Sequence, residues 1–74
     1  MKTIVLTGAA GDVGSRLRAQ LAGRYNLRLS DIQPINDLSE DETFVQADVA
    51  DLDAMTALME GADGVIALGG APRE

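Results

Sequence analysis

Seventy-four residues with a formal charge of −6 and 46% hydrophobic content make at most one small domain, of a size that buries only about 60% of its unfolded surface. No basic stripe is present to displace counterions from phosphates, so nucleic acid and anionic membranes are excluded as partners. The lack of cysteine removes disulfides, thiolate chemistry and cysteine-held zinc, and fits a reducing compartment.

The opening Met1–Leu6 carries one charge and a short apolar run that stops before Gly8, so it reads as neither signal peptide nor membrane span, and a cytoplasmic location is expected. Lys2–Thr7 is nearly all apolar and partly β-branched, as in a strand buried on both faces of a parallel sheet. The period then changes. Val13, Leu17 and Leu21 recur every four residues, with Ala10 before them, which predicts an amphipathic helix with these residues facing the core, ended at Gly23. Asn26–Ser30 alternates, burying Leu27 and Leu29 on one side and delivering Asp31 to the carboxyl end of a second strand.

Ile32–Glu42 is polar, contains Pro34, and ends in Glu40-Asp41-Glu42, which predicts a loop with a solvated acidic run. With no histidine in the chain, no metal is expected there. Thr43–Ala47 is β-prone and forms the third strand. Asp51 suits an N-cap, and Leu52, Met55, Leu58 and Met59 form a helical stripe closed by Gly61, the methionines acting as core filler. Gly64–Leu68 is the fourth strand, followed by Gly69 and Gly70.

The order β-α-β-loop-β-α-β fixes the architecture through the right-handedness of parallel crossovers. If strands one, two and three step outward in one direction, the second helix must return past strand one on the opposite face. The fold class expected is therefore α/β, a doubly wound parallel sheet with strand order 3-2-1-4 and its switch point between strands one and four, where ligands bind outside the carboxyl ends. The open edge of strand four and thin helical cover predict a weakly stable isolated chain, with part of Ile4, Leu6 and Val65 wet.

Thr7–Gly14 (TGAAGDVG) stands at the strand-to-helix junction. Gly8 suits the tight turn, Gly11 leaves room for a diphosphate, and Gly14 allows close helix packing, which together point to a dinucleotide site, although glycines serving packing alone could be spaced the same way. The backbone around Asp12 and Val13 faces the anion, the Asp12 carboxylate being directed to solvent. Asp31, 23 positions after Gly8, is placed to bind the adenosine ribose hydroxyls and repel a 2′-phosphate, which selects NAD over NADP. The alternative is a turn carboxylate before a Pro-containing loop. Asp48 and Val49 could contact adenine, or Asp48 could be a loop acid near the N-cap.

TGAAGDVGSRLR, LRLSDI, QADVAD and GADGVIALGG together resemble the amino-terminal part of the extended short-chain dehydrogenase/reductases, or NAD-dependent epimerase/dehydratases, and among them the uronate dehydrogenases. The resemblance covers essentially the whole chain. It implies a Rossmann-type fold, NAD as cofactor, Asp31 and the Ile32 backbone at the ribose, Asp48 and Val49 at adenine, and Leu68, Gly69 and Gly70 along the inner side of the cofactor. Ala67 stands where relatives often carry histidine, and Ala71-Pro72 where uronate dehydrogenases place a substrate-contacting serine.

The family's Tyr-x-x-x-Lys pair is absent, because Tyr25 and Lys2 are the only tyrosine and lysine and cannot form it. The expectation is therefore an inactive N-terminal part of an NAD-binding Rossmann domain, residues 1–74, belonging to a longer sugar-acid (uronate) dehydrogenase. A nucleotide-sugar epimerase/dehydratase and a non-catalytic nucleotide-binding sensor are the alternatives. The expected partner of the full-length protein is a small-molecule substrate, a sugar acid or nucleotide sugar, with a homo-oligomer possible.

Overall fold

The computed structural model describes residues 1–48 and 50–68. Its elements are β1 (Thr3–Thr7), α1 (Asp12–Leu21), β2 (Asn26–Asp31), β3 (Glu42–Gln46), α2 (Leu52–Met59) and β4 (Gly64–Ala67). All strand pairings are parallel and the strand order is β3-β2-β1-β4, the order that crossover handedness dictates. Register sets Thr7 beside Ser30 and Ala67, and Asp31 beside Gln46, so the carboxyl ends of the four strands form one rim.

The sheet divides the core. Leu6, Leu27 and Leu29 face one side, where Ala9 and Ile35 are also buried and Leu17 and Leu21 of α1 pack on them. Val5 faces the other side, against Met55 and Leu58 of α2. Each such fully covered aliphatic side chain stabilises the fold by about 1.5 to 3 kcal/mol. Leu6 is completely buried rather than partly wet, because α1 and the buried Ile35 of the 32–41 crossover share the work of covering this face. Val65 does remain 45% exposed on the α2 side.

Both helices are turned differently from their sequence stripes. In α1 the sheet-facing positions are Gly14, Leu17, Arg18 and Leu21, a run of helical spacing, while Val13 is 56% exposed. The smallest residue admits the closest approach, so the helix presents Gly14 inward and Val13 turns out; Ala9, not Ala10, is the buried alanine before it. In α2, Met55 and Leu58 are buried whereas Leu52 and Met59 form an exposed flank, so only one of those two methionines fills core. The Asp51 carboxylate accepts from Ala54 N (3.1 Å), capping α2, a contact worth about 1 kcal/mol. At its other end the Arg28 guanidinium of β2 donates to the carbonyls of Leu58 and, at 2.7 Å, Glu60, which satisfies α2's last acceptors and complements its dipole.

The acidic run is not uniformly solvated. Glu42 opens β3 and is buried, its carboxylate accepting from Arg18 Nε (3.1 Å) and Nη2 (2.9 Å) in a bidentate pair and from Ser39 N (2.9 Å). Side-chain exposures of 13% for Arg18 and 5% for Glu42 shield the pair from screening. The hydrogen bonds from Arg18, aided by that from Ser39, outweigh desolvation and hold the Glu42 carboxyl below its ordinary range; the same pair raises Arg18. With its folded-state pKa depressed, Glu42 contributes stability that is fully present above its unfolded pKa and is lost as pH falls through the folded value. Glu42→Gln should therefore destabilise the protein by about 1.5 to 3 kcal/mol at pH 7, and the gap from wild type should close on acidification below the ordinary glutamate range. Urea unfolding at a series of pH values measures both, and a gap that stays constant with pH would remove the ion pair from the account.

Candidate functional site: a crevice at the strand carboxyl ends

A crevice of about 460 Å³ opens along the carboxyl rim and is lined from all four strands. Gly8, Ala10 and Gly11 come from the β1–α1 turn, Ser30, Asp31, Ile32 and Gln33 from the end of β2 and beyond it, Ala47 and Asp48 from the residues after β3, and Leu68 from the residue after β4. Its volume lies in the range of small-molecule sites, roughly 300 to 1,000 Å³.

Two backbone contacts shape one wall. Gly8 has φ +70°, and a Cβ there would stand 2.4 Å from the Leu68 carbonyl oxygen, so neither the conformation nor the space admits a side chain. A Cβ on Gly14 would meet Ala9 O at 2.5 Å, which puts α1 directly on the turn. Gly11 differs: a Cβ there would meet only Gly8 O, at 3.7 Å, so nothing in the fold demands a glycine. Gly11 is also the N-cap of α1 and brings no side chain to the orphan N–H groups of the first turn, unlike Asp51 on α2.

The Asp31 carboxylate bridges two crevice walls. Oδ2 accepts from Ala10 N (3.0 Å) in the glycine turn and Oδ1 from Gln33 N (2.9 Å) in the crossover. The β2 carbonyls continue this linkage, Ser30 O accepting from Ala9 N (3.1 Å) and Asp31 O from Ala47 N (3.1 Å). Gln46 Nε2 donates to Ile32 O (2.8 Å), fixing that peptide at the rim. The Asp48 carboxylate is engaged with Ala50 N (2.9 Å), a turn contact, while Asp48 also lines the crevice. Ser30 lines the crevice, but its Oγ is closed off from solvent and has no hydrogen-bond partner among the described residues. A buried hydroxyl left so is costly.

Of the residues that sequence singles out, Gly8, Gly11, Asp31, Ile32, Asp48 and Leu68 meet in the crevice. Asp12 and Val13 form the exposed first turn of α1 next to it, and Gly14 lies buried behind it against Ala9. Val49, Gly69 and Gly70 lie outside the described residues. Ala10, Ser30, Gln33 and Ala47 also line the crevice without standing out in the sequence as site residues; adjacency in sequence to Gly11, Asp31, Ile32 or Asp48 is their signal. Among the described residues no group of three or more carboxylates is placed to hold a metal, and no helix is long and apolar enough to cross a membrane.

A doubly wound parallel sheet with a glycine turn and a carboxylate at its carboxyl rim defines a Rossmann-type α/β unit. Residues 8–74 match the profile of the NAD(P)H-binding family, and the chain belongs to that family. It is 42% identical over 73 residues to a uronate dehydrogenase of Pseudomonas putida, covering 96% of this chain and 27% of that protein. It is 37% identical over 76 residues to an NAD-dependent glucose-6-phosphate dehydrogenase of Haloferax volcanii, covering 95% of this chain and 29% of that one. The crystal structure of a uronate dehydrogenase mutant from Agrobacterium tumefaciens, complexed with NAD, superposes with a TM-score of 0.88 at 41% identity, over 100% of this chain and 28% of that one. The chain thus spans little more than a quarter of the length of these relatives.

The three turn glycines should separate by substitution. Gly8→Ala and Gly14→Ala should each lower stability by about 1 to 3 kcal/mol or more through overpacking against backbone, whereas Gly11→Ala should cost less, about 0.5 to 1 kcal/mol, through the poorer N-cap and not through crowding. Thermal melts of the three variants provide the check, and a severe loss for Gly11→Ala would contradict the open space seen there.

Proposed function

We propose that the crevice binds the adenosine diphosphate half of NAD and that the chain is the cofactor-binding N-terminal part of a longer NAD-dependent sugar-acid dehydrogenase, a uronate dehydrogenase. The observation that carries the proposal is the Asp31 carboxylate, held at the rim beside the glycine turn by two backbone N–H groups. An ionised carboxylate offers about four lone-pair positions; two orient it, and two remain for the vicinal hydroxyls of a ribose. A 2′-phosphate would meet the same negative charge without a cation among the crevice-lining residues to offset it.

The residues present fit the cofactor at two points. The uncapped first turn of α1 offers N–H groups and a positive dipole end to the diphosphate. The missing side chain at Gly11 keeps that approach open. Ile32, Asp48 and Leu68 complete the surroundings, with Val49, Gly69 and Gly70 extending them in sequence. NAD, when bound, accepts a hydride from the carbon being oxidised. The protein's part within this chain is to bind and orient it; the acid/base pair and substrate pocket belong to sequence outside these 74 residues. Similarity to uronate dehydrogenases on one side and to a glucose-6-phosphate dehydrogenase on the other supports a sugar or sugar-acid substrate.

Calorimetric titration of the full-length protein should show tighter binding of NAD than of NADP, and Asp31→Ala should narrow that preference, chiefly by admitting the phosphate. Equal affinities for the two cofactors in the wild type would detach Asp31 from the ribose. The 74-residue chain alone should reduce no NAD with any of a panel of uronic acids at any pH, since its only tyrosine and only lysine, Tyr25 and Lys2, lie apart from the crevice. Turnover by these residues alone would overturn the division of labour.

A further inference from the structure

The crossover between β2 and β3, residues 32–41, contains no helix or strand, yet it is tied down at both ends. At its start Gln33 N donates to Asp31 Oδ1 and Ile32 O accepts from Gln46 Nε2. In its middle Ile35 is buried with the α1-side core. At its far end Arg18 of α1 reaches across: Nη2 donates to Asp37 O (3.0 Å), Nε and Nη2 engage Glu42, and Glu42 Oε1 accepts from Ser39 N. Arg18 does not line the crevice, whereas Ile32 and Gln33 at the start of the same crossover do.

We propose that the Arg18–Glu42 pair is a positioning device for the nucleotide crevice, holding the crossover at a fixed place on α1 and thereby setting where Asp31, Ile32 and Gln33 stand relative to the N-terminus of that helix. The proposal rests on the reading of Asp31 as the ribose acceptor. Its physical content is a ruler: α1 is rigid, its first turn faces the diphosphate position, and Arg18 lies on the same helix, so the clamp fixes the distance between the two parts of the site that grip the two ends of an adenosine diphosphate. Ala10 N bonding to Asp31 Oδ2 fixes the same distance from the turn side. With the clamp gone, that bond, the Ala9 N to Ser30 O bond and the Gln46 Nε2 to Ile32 O bond remain, so the loss is partial and falls on the discrimination between cofactors rather than on folding alone. Arginine suits the task because its planar fork holds the carboxylate at two points and still reaches the Asp37 carbonyl, which a lysine ammonium cannot do in one geometry.

The test is calorimetry of NAD and NADP on the full-length protein and on Arg18→Gln, Glu42→Gln, the exchange Arg18→Glu with Glu42→Arg, and Asp31→Ala, at a temperature where circular dichroism shows each variant folded. Arg18→Gln is expected to weaken NAD binding about tenfold, within the range by which residues remote from a ligand alter affinity, while NADP binding changes less, so that the ratio of the two affinities falls. The exchange should recover part of the ratio. A purely structural role would lower the melting temperature and leave the ratio untouched, and that result overturns the proposal. If Arg18→Gln does not fold, Arg18→Lys and Glu42→Gln supply the same readout at lower cost to stability. Should Asp31→Ala leave the ratio unchanged, the ribose reading itself fails and the clamp's role with it; a shift for Asp31→Ala without one for Arg18→Gln overturns the clamp alone.

Discussion

Backbone standing on backbone at Gly8 and Gly14 is the constraint from which the rest of this structure follows. Gly14 brings α1 onto Ala9 at a distance that no side chain permits, and Gly8 brings the end of β1 under the Leu68 carbonyl. The first contact sets the rotation of α1: with Gly14 inward, the helical spacing brings Leu17, Arg18 and Leu21 to the sheet side and sends Val13 to solvent. The second locks β1 to β4 at the rim where the doubly wound sheet reverses direction. A larger residue at either position would lift the helix or part the strands, and the crevice between them would change shape.

Polar groups are distributed so that most are satisfied inside the fold. Arg18 of α1 and Arg28 of β2 both work against backbone carbonyls: one ties the crossover to α1 and the other closes the end of α2. The N-terminus of α2 is closed by Asp51. Among the described residues, what stays open at the crevice is the first turn of α1 and the remaining lone pairs of Asp31. In a chain with a net charge of −6 an anionic ligand is repelled at long range, so its binding depends on such short-range groups, for which the helix dipole counts only over its first turn.

Strand order was legible because it follows from handedness and the sequence of elements, and neither depends on side-chain detail. The place of Asp31 at the rim was legible because an alternating strand delivers its last residue to the carboxyl end of the sheet. What stayed hidden depended on three-dimensional phase. Val13 and Gly14 are neighbours, and only the height of the helix over Ala9 decides which of them faces inward. Glu42 looks like its neighbours Glu40 and Asp41 in sequence; it differs because β3 begins there and the pleat turns its side chain toward Arg18. Ala10, Ala47 and Gln33 contribute to the crevice through their place in the chain and not through their chemistry, so residue type carries no trace of the role. Ile35 is one of three aliphatic residues in the crossover, with Ile32 and Leu38, and it alone of the three is buried on the core, a choice that residue type does not reveal.

The same carboxylate that is proposed to read the ribose also holds the crevice together, and this couples recognition to local folding. Asp31 joins the glycine turn to the crossover through Ala10 N and Gln33 N, so a ligand that bonds the remaining lone pairs strengthens a junction already present instead of building a new one. Little ordering is then left to be done at binding, and less of the interaction energy is lost to it. The coupling also runs in reverse. A bound nucleotide stabilises the folded state by an amount that grows with the logarithm of its concentration over Kd, about 2.7 kcal/mol at a hundredfold excess. For a domain with one helix on each face of its sheet, that is a sizeable share of a total of roughly 5 kcal/mol. Removing Asp31 therefore takes away a selector and a fastening at once, and the two losses are separable because only the first depends on the 2′ position of the ligand.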